Sequence, residues 1–203
     1  MKRAIFPLAI SLAMACLLGG CVKFGDKPPP SLLTLKAADQ IAPDAARVAS
    51  DSNTLVVLPP TVPQMLATDR LAVRTSDTSV AYLKDARWSE APARLFADLL
   101  GDTIAARTDR VVIDRRQYAL APGARLTGQL DAFELDTSRG EVVVIFDATF
   151  APGDGKPLAV RRFEARVKSP SEKPNAVGRA LNDAANQVAA AVADWVKTGG
   201  TAG

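Results

Sequence analysis

Hydrophobic residues recur at two spacings along this chain, and the spacing separates predicted strands from predicted helices. The run at 55–58 (Leu-Val-Val-Leu) is apolar throughout, which is typical of a strand buried on both faces. Residues 37–53 are rich in Ala, Asp and Pro and predict a loop. Including that run, short apolar or alternating segments in the first half predict strands at 31–35, 55–58, 70–74, 80–83 and 111–113.

Three long strands joined by hairpin turns are predicted to follow. Turn-forming residues stand at 138–140 (Ser-Arg-Gly) and 153–155 (Gly-Asp-Gly). The apolar alternation changes phase near 131–132, which predicts a β-bulge, and again near 161–162. One face of the middle strand is predicted to carry Val142, Val144, Phe146, Ala148 and Phe150.

Two longer segments, 89–107 and 175–197, show the three- and four-residue spacing of amphipathic helices. Ser89 and Asn175 are expected to cap their first turns, and the glycines at 199–200 to end the second helix. The chain is therefore predicted to have an α+β fold, a mixed and largely antiparallel sheet covered by two main helices.

The N-terminal segment has the pattern of a secretory signal. A basic start, Met1-Lys2-Arg3, precedes an almost wholly apolar run at 4–18. That run is shorter than the roughly 20 residues that a membrane span needs. Its end, Leu18-Gly19-Gly20-Cys21, resembles the bacterial lipobox, an aliphatic residue and two small residues before a cysteine.

The lipobox resemblance implies that a diacylglyceryl group alkylates the thiol of Cys21 and that cleavage follows Gly20. Cys16 lies inside the apolar run and is interpreted as an ordinary residue of the signal. In this class of protein an Asp after the cysteine often retains the protein at the inner membrane. Val22 stands there instead, which favours the outer membrane and leaves inner-membrane anchoring open.

These features divide the chain into a signal peptide (1–20), a lipidated cysteine with a Pro-rich tether (21–30), a periplasmic α+β domain (31–198) and a flexible tail (199–203). Because the tether ends in three prolines, we expect it to be stiff and the domain to stand close to the membrane.

Composition excludes several kinds of function. The formal net charge of +3 includes Lys2 and Arg3 of the signal, and elsewhere basic and acidic residues alternate, so no nucleic-acid partner is expected. The chain has no histidine, and both its cysteines lie in the first 21 residues. Ser-His-Asp and Cys-His catalysis, thiolate metal sites and most zinc sites are thereby excluded from the domain. We expect no cofactor and no metal.

Four strand carboxylates are the candidate catalytic groups, namely Asp131, Glu134, Asp136 and Asp147. Two of them could form an acid–base pair. The competing interpretation is that they are exposed polar positions of alternating strands, and we favour it. Trp88, just before the first helix, is interpreted as a core residue, with an exposed interface residue as the alternative. Trp195 falls on the apolar stripe of its helix.

Several stretches resemble one family in their order and spacing. An aliphatic strand, prolines, a Leu and an Arg-Leu-Ala-Val-Arg strand follow one another at 55–74, and Trp88 and Glu90 stand ahead of the first helix. Residues 125–134 and the terminal Asp-Trp-Val at 194–196 continue the match. Together they resemble the ABC-type transport auxiliary lipoproteins, the PqiC-like family, over nearly all of the mature chain.

The resemblance implies a non-enzymatic role in lipid transport between the inner and outer membranes. Its implied partners are an MCE (mammalian cell entry) protein that forms the conduit, an ABC ATPase or integral membrane component, and membrane lipids through the acyl anchor. Related members form rings, which implies homo-oligomerisation. The alternatives are an outer-membrane assembly lipoprotein that plugs or chaperones a barrel, and an envelope hydrolase that uses the strand carboxylates.

Overall fold

The computed structural model describes residues 31–114, 123–153 and 155–201. Its two helices are α1 (Pro92–Arg107) and α2 (Pro174–Lys197), and a short 3-10 helix spans Gln64–Leu66. The strands of these described residues are β1 (Thr54–Val57), β2 (Arg70–Ser76), β3 (Ser79–Arg87), β4 (Val111–Val112), β5 (Ala124–Asp136), β6 (Glu141–Ala151) and β7 (Ala159–Lys168).

The longest strand, β5, organises the sheet. β6 pairs antiparallel along one edge of β5, and β7 pairs antiparallel with β6. On the other edge, β1 pairs parallel with the first part of β5 and β2 with its last part. β4 then extends the sheet beside β1, and β3 extends it beside β2. This mixed sheet with two helices confirms the predicted α+β fold.

The first predicted change of phase is confirmed, and the second is wrong. The register of β5 against β6 shifts between Leu130 and Ala132, as a bulge requires. β6 and β7, in contrast, pair without interruption over the whole of β7. Phe163 is buried, whereas Leu158 and Val160 are exposed at 65% and 72%. The apolar residues of β7 therefore lie on both faces, and no irregularity is needed to explain them.

Both helices pack on one face of the sheet and bury the predicted stripe of β6. Phe96 of α1 meets the ring of Phe146 with centroids 5.2 Å apart. Trp195 of α2 lies 5.9 Å from the ring of Phe150. The alanines of α2 let that helix approach the sheet closely, and the fully buried ones are Ala184, Ala185, Ala189 and Ala193.

Both predicted helix caps are wrong, because a proline begins each helix. α1 starts at Pro92 after Ala91, and α2 starts at Pro174 after Lys173, and neither N-terminus has a side-chain cap. The fixed φ of proline suits the first helical position, and it keeps the preceding residue extended. Ser89 lies outside α1, where its amide N–H donates to the carbonyl of Leu33.

The predicted strand at 31–35 is also wrong. Only an isolated bridge joins Leu33 to Trp88 there. The other short strands are confirmed with shifted ends; β3 continues to Arg87, and β4 has two half-buried residues. The predicted loop at 37–53 contains neither helix nor strand.

Candidate functional site

The predicted lipidation site, Cys21, lies outside the described residues, as do the predicted signal peptide and tether. The described part of the chain begins just after the predicted tether. The segment Ser31–Ala38, here called the entry segment, is where the chain joins the fold.

The entry segment begins with a backbone attachment between β3 and α1. The amide of Leu33 donates to the carbonyl of Arg87, and the amide of Ser89 donates to the carbonyl of Leu33, both at 2.8 Å. The side chain of Leu33 lies against Gly178 of α2. A Cβ atom at Gly178 would stand 2.8 Å from a methyl carbon of Leu33, so the absence of a side chain makes room for the segment.

Two asparagines of α2 hold the rest of the entry segment. The amide of Lys36 donates to Oδ1 of Asn182 at 2.8 Å, and the amide of Ala38 donates to Oδ1 of Asn186 at 2.7 Å. Nδ2 of Asn186 in turn donates to the carbonyl of Lys36 at 3.0 Å. These side chains supply the partners that a neighbouring strand would otherwise supply, which is why the segment is extended without belonging to the sheet.

We expect Asn186→Ala to loosen the entry segment without unfolding the domain. The substitution removes two hydrogen bonds to the segment, so the free energy of local opening should fall by about 2 kcal/mol. Hydrogen exchange at the amides of Lys36 and Ala38 should become faster, while that of the β6 amides should not change. The control is Gln187→Ala at the neighbouring exposed position. Equal exchange in the two variants would contradict this role of Asn186.

The candidate catalytic carboxylates are each engaged by a donor. Arg162 bridges Asp131 and Asp147, and its Nε lies 2.6 Å from an oxygen of Asp147. This guanidinium lowers the pKa of Asp147. A carboxyl group whose pKa is lowered stays ionised at neutral pH and cannot serve as a general acid there.

The other two carboxylates are buried rather than exposed, contrary to the alternation argument. Glu134 is 1% exposed, and one of its oxygens receives both Nε and a terminal nitrogen of Arg74 at 2.6 Å. Asp136 accepts bonds from the Ser138 hydroxyl and from the amides of Ser138 and Arg139, so it closes the β5–β6 turn. All four carboxylates are therefore engaged by donors. Asp131 and Asp147 face each other across Arg162, and contact with Asp131 is a lesser cause of the lowered pKa of Asp147.

The turn bonds predict a pH-dependent effect of Ser138→Ala. The Ser138 hydroxyl, ahead of the turn amides, lowers the pKa of Asp136. Because the pKa is lower in the folded state, the stabilisation is complete above the unfolded value of about 3.9 and is lost as pH falls through the folded value. Ser138→Ala should lower the free energy of unfolding by about 1 kcal/mol at neutral pH.

Urea unfolding near neutral pH and near about pH 3 checks this expectation, since the difference from wild type should shrink on acidification. Thr78→Ala in the β2–β3 turn is the control, because the Thr78 hydroxyl bonds no carboxylate among the described residues. A loss for Ser138→Ala that is the same at both pH values would contradict the assignment.

Trp88 belongs to the core, as predicted. It is 1% exposed, and its ring lies 5.3 Å from that of Phe133. Trp195 is buried against Phe150 and Phe163, which confirms its place on the apolar stripe of its helix. Neither tryptophan is available as an exposed interface residue.

Sequence reasoning missed the two asparagines that hold the entry segment. Their spacing of four residues on α2 was a visible signal, because it places both amides on one side of an alanine-rich helix. Over the described part of the chain, no three potential metal ligands come together. In that same part, neither helix combines the length and apolarity needed to cross a bilayer.

Sequence comparison assigns the family. The model of the ABC-type transport auxiliary lipoprotein component matches residues 34–193. The chain belongs to this family. The match begins inside the entry segment and ends within α2, so it covers the whole described sheet and both asparagines of this auxiliary component. No curated protein matches the chain significantly in sequence.

Solved structures show the same fold. The crystal structure of protein XCC0632 from Xanthomonas campestris, a DUF330 protein, matches 83% of this auxiliary component and 95% of that chain, at 17% identity and a TM-score of 0.68. The crystal structure of an uncharacterised protein matches 74% of this chain and 96% of its own, at 18% identity and a TM-score of 0.61. A PelC dodecamer from Paraburkholderia phytofirmans matches 71% of this chain and 91% of that chain at 11% identity, and its TM-score of 0.43 is too low to support an argument.

Proposed function

We propose that this auxiliary component is acylated at Cys21 and assists lipid transport between the inner and outer membranes. It acts at the periplasmic face of the outer membrane, where it docks a conduit built from an MCE protein. The observation that carries the proposal is the family match, which names a lipoprotein component of ABC-type transport over residues 34–193.

The chemistry of the domain agrees with a docking role. Its four candidate strand carboxylates are engaged by arginines or turn donors instead of forming a free acid–base pair. The entry segment, held by Asn182 and Asn186, couples the anchor to α2, a helix that packs across the sheet. A domain held in this way can present a fixed surface to a partner, because its entry segment is bound to α2 by side-chain hydrogen bonds.

Affinity capture of the full chain from detergent-solubilised envelopes tests the proposal. We expect an MCE protein and an ABC or integral membrane component to be captured with the acylated chain. A captured outer-membrane barrel without these components would favour the assembly-lipoprotein alternative. Absence of any such partner, together with normal envelope lipid traffic after deletion of the gene, would overturn the proposal.

Self-association is part of the proposal, as the family resemblance implies a ring. Native mass spectrometry of the purified full chain in detergent should give one discrete oligomer. A monomer at every concentration would remove the ring from the proposal and leave the docking role to a single copy.

A further inference from the structure

Near the entry segment the domain exposes one leucine and two basic side chains. Leu32 is 56% exposed, immediately before the attachment at Leu33. Beside it lies a shallow notch of about 450 Å³ between the entry segment and the first turns of α2. Lys36 and Arg179 line this notch from its two sides, together with the single acid Asp183.

The two cations are free to meet an external anion. Neither Lys36 nor Arg179 has an ion-pair partner among the described residues, although seven of the described arginines form ion pairs. Both side chains are exposed. We call Leu32, Lys36 and Arg179 the anchor-side surface.

The opposite end of α2 supplies a natural comparison. Leu33 lies on Gly178 near the start of the helix, whereas Gly200, just after its end, lies against Ala159 at the start of β7. At a rise of 1.5 Å per residue, the helix separates these two contacts by about 30 Å. Leu158, beside Ala159, is exposed to a similar extent as Leu32. Each end of α2 therefore has an exposed leucine nearby, and the two leucines differ mainly in their distance from the entry segment.

We propose that the anchor-side surface lies on the anionic phospholipid membrane, with Leu32 among the headgroups and Lys36 and Arg179 against lipid phosphates. The inference rests on the proposed acylation of Cys21. Even fully extended, residues 21–30 reach about 35 Å, so the entry segment cannot leave the vicinity of the bilayer. If Leu158 lay on the membrane instead, residues 21–30 would have to span the length of α2, about 30 Å, and would be almost fully extended.

Positive side chains near an anionic membrane surface are attracted to it within about 10 Å. An exposed leucine at the same place adds apolar area that the interface can bury. The anchor and the surface thus act together, since the anchor limits the distance and the surface selects the orientation. The Leu158 end is then directed into the periplasm, where a transport partner would approach.

Two single-cysteine variants of the full acylated chain test the orientation. Leu32→Cys and Leu158→Cys each receive an environment-sensitive fluorophore, and the proteins are reconstituted in vesicles of phosphatidylcholine and phosphatidylglycerol that contain brominated lipids as quenchers. We expect strong quenching and a blue shift for the label at position 32, and little of either at position 158. Intact mass of the same samples reports acylation, so a missing anchor and a wrong orientation give different results.

The double variant Lys36→Gln/Arg179→Gln tests the charges. Quenching at position 32 should fall several-fold in vesicles that contain phosphatidylglycerol and should change little in pure phosphatidylcholine. Arg125→Gln, which also removes an exposed arginine without an ion-pair partner among the described residues, is the matched control.

Equal quenching of acylated protein at the two positions, or stronger quenching at position 158, would overturn the inference. So would no quenching at either position. Any of these results would leave the docking function intact if an MCE protein is still captured.

Discussion

Replacing Cys21 with serine is expected to release the protein from the membrane. The variant lacks the thiol that we propose the lipid donor alkylates, so the chain should keep its signal peptide or be processed without lipid. Each methylene of an acyl chain contributes about 0.8 kcal/mol to membrane binding, and two chains hold a protein firmly where one is marginal. Sedimentation of cell envelopes should therefore find wild type in the pellet and the processed variant in the supernatant.

Cys16 provides an internal control for this experiment. Cys16→Ser makes the same change, a sulfur to an oxygen, five residues earlier and inside the apolar run. It should leave the distribution and the intact mass of the mature protein unchanged. A mature Cys21→Ser protein that remains in the pellet after carbonate extraction, or a wild-type protein with a free thiol, would contradict acylation at Cys21.

The alternation of apolar residues correctly predicted the buried face of β6 and the bulge in β5. The stripe of β6 from Val142 to Phe150 is buried as a set, because strict alternation over a long strand admits one arrangement against a core. The bulge in β5 was visible for the same reason, as a change of phase inside one strand. In β7 this reasoning failed, since Leu158 and Val160 are apolar residues on the solvent face, where single apolar residues are common.

The remaining errors arose where distant residues or proline decided the backbone. Ser89 and Asn175 are good caps in isolation, but Pro92 and Pro174 fix where the helices begin. The segment at 31–35 has the composition of a strand. Leu33 bonds to the backbone of Arg87 and Ser89, and the residues just after the segment bond to α2, nearly 150 residues later. No local pattern reveals these partners.

In the candidate site, too, features set by adjacent residues could be predicted, and features set by distant residues could not. The predicted lipobox is a local signal, because a protease and a lipid donor would act on four adjacent residues. It stays a prediction, since Cys21 lies outside the described residues. The attachment of the entry segment to α2 could not be predicted, because it depends on backbone amides and asparagine side chains that only the folded chain brings together. The carboxylates were found as residues, but the burial of Glu134 and Asp136 was misjudged, since alternation predicts which face a residue lies on and not how far that face is covered.

The ion pair of Glu134 carries the second large effect, a loss of stability in Arg74→Ala. Arg74 is 36% exposed at its side chain, but Glu134 is only 2% exposed, and its second oxygen has no hydrogen-bond partner among the described residues. Removing the guanidinium leaves a buried carboxylate without its partner. We expect the free energy of unfolding to fall by about 3 kcal/mol. Urea unfolding at neutral pH measures the change.

Arg94→Ala is the control that separates the effect of burial from the loss of an ion pair. Arg94 pairs with Glu90 at 2.8 Å, but both side chains are more than half exposed, so its removal should cost under about 1 kcal/mol. The double variant Arg74→Leu/Glu134→Leu removes the charge together with its partner and should recover much of the loss. If Arg74→Ala and Arg94→Ala cost the same, Glu134 is hydrated in solution. Its carboxylate would then be accessible, and the hydrolase interpretation would regain a candidate acid.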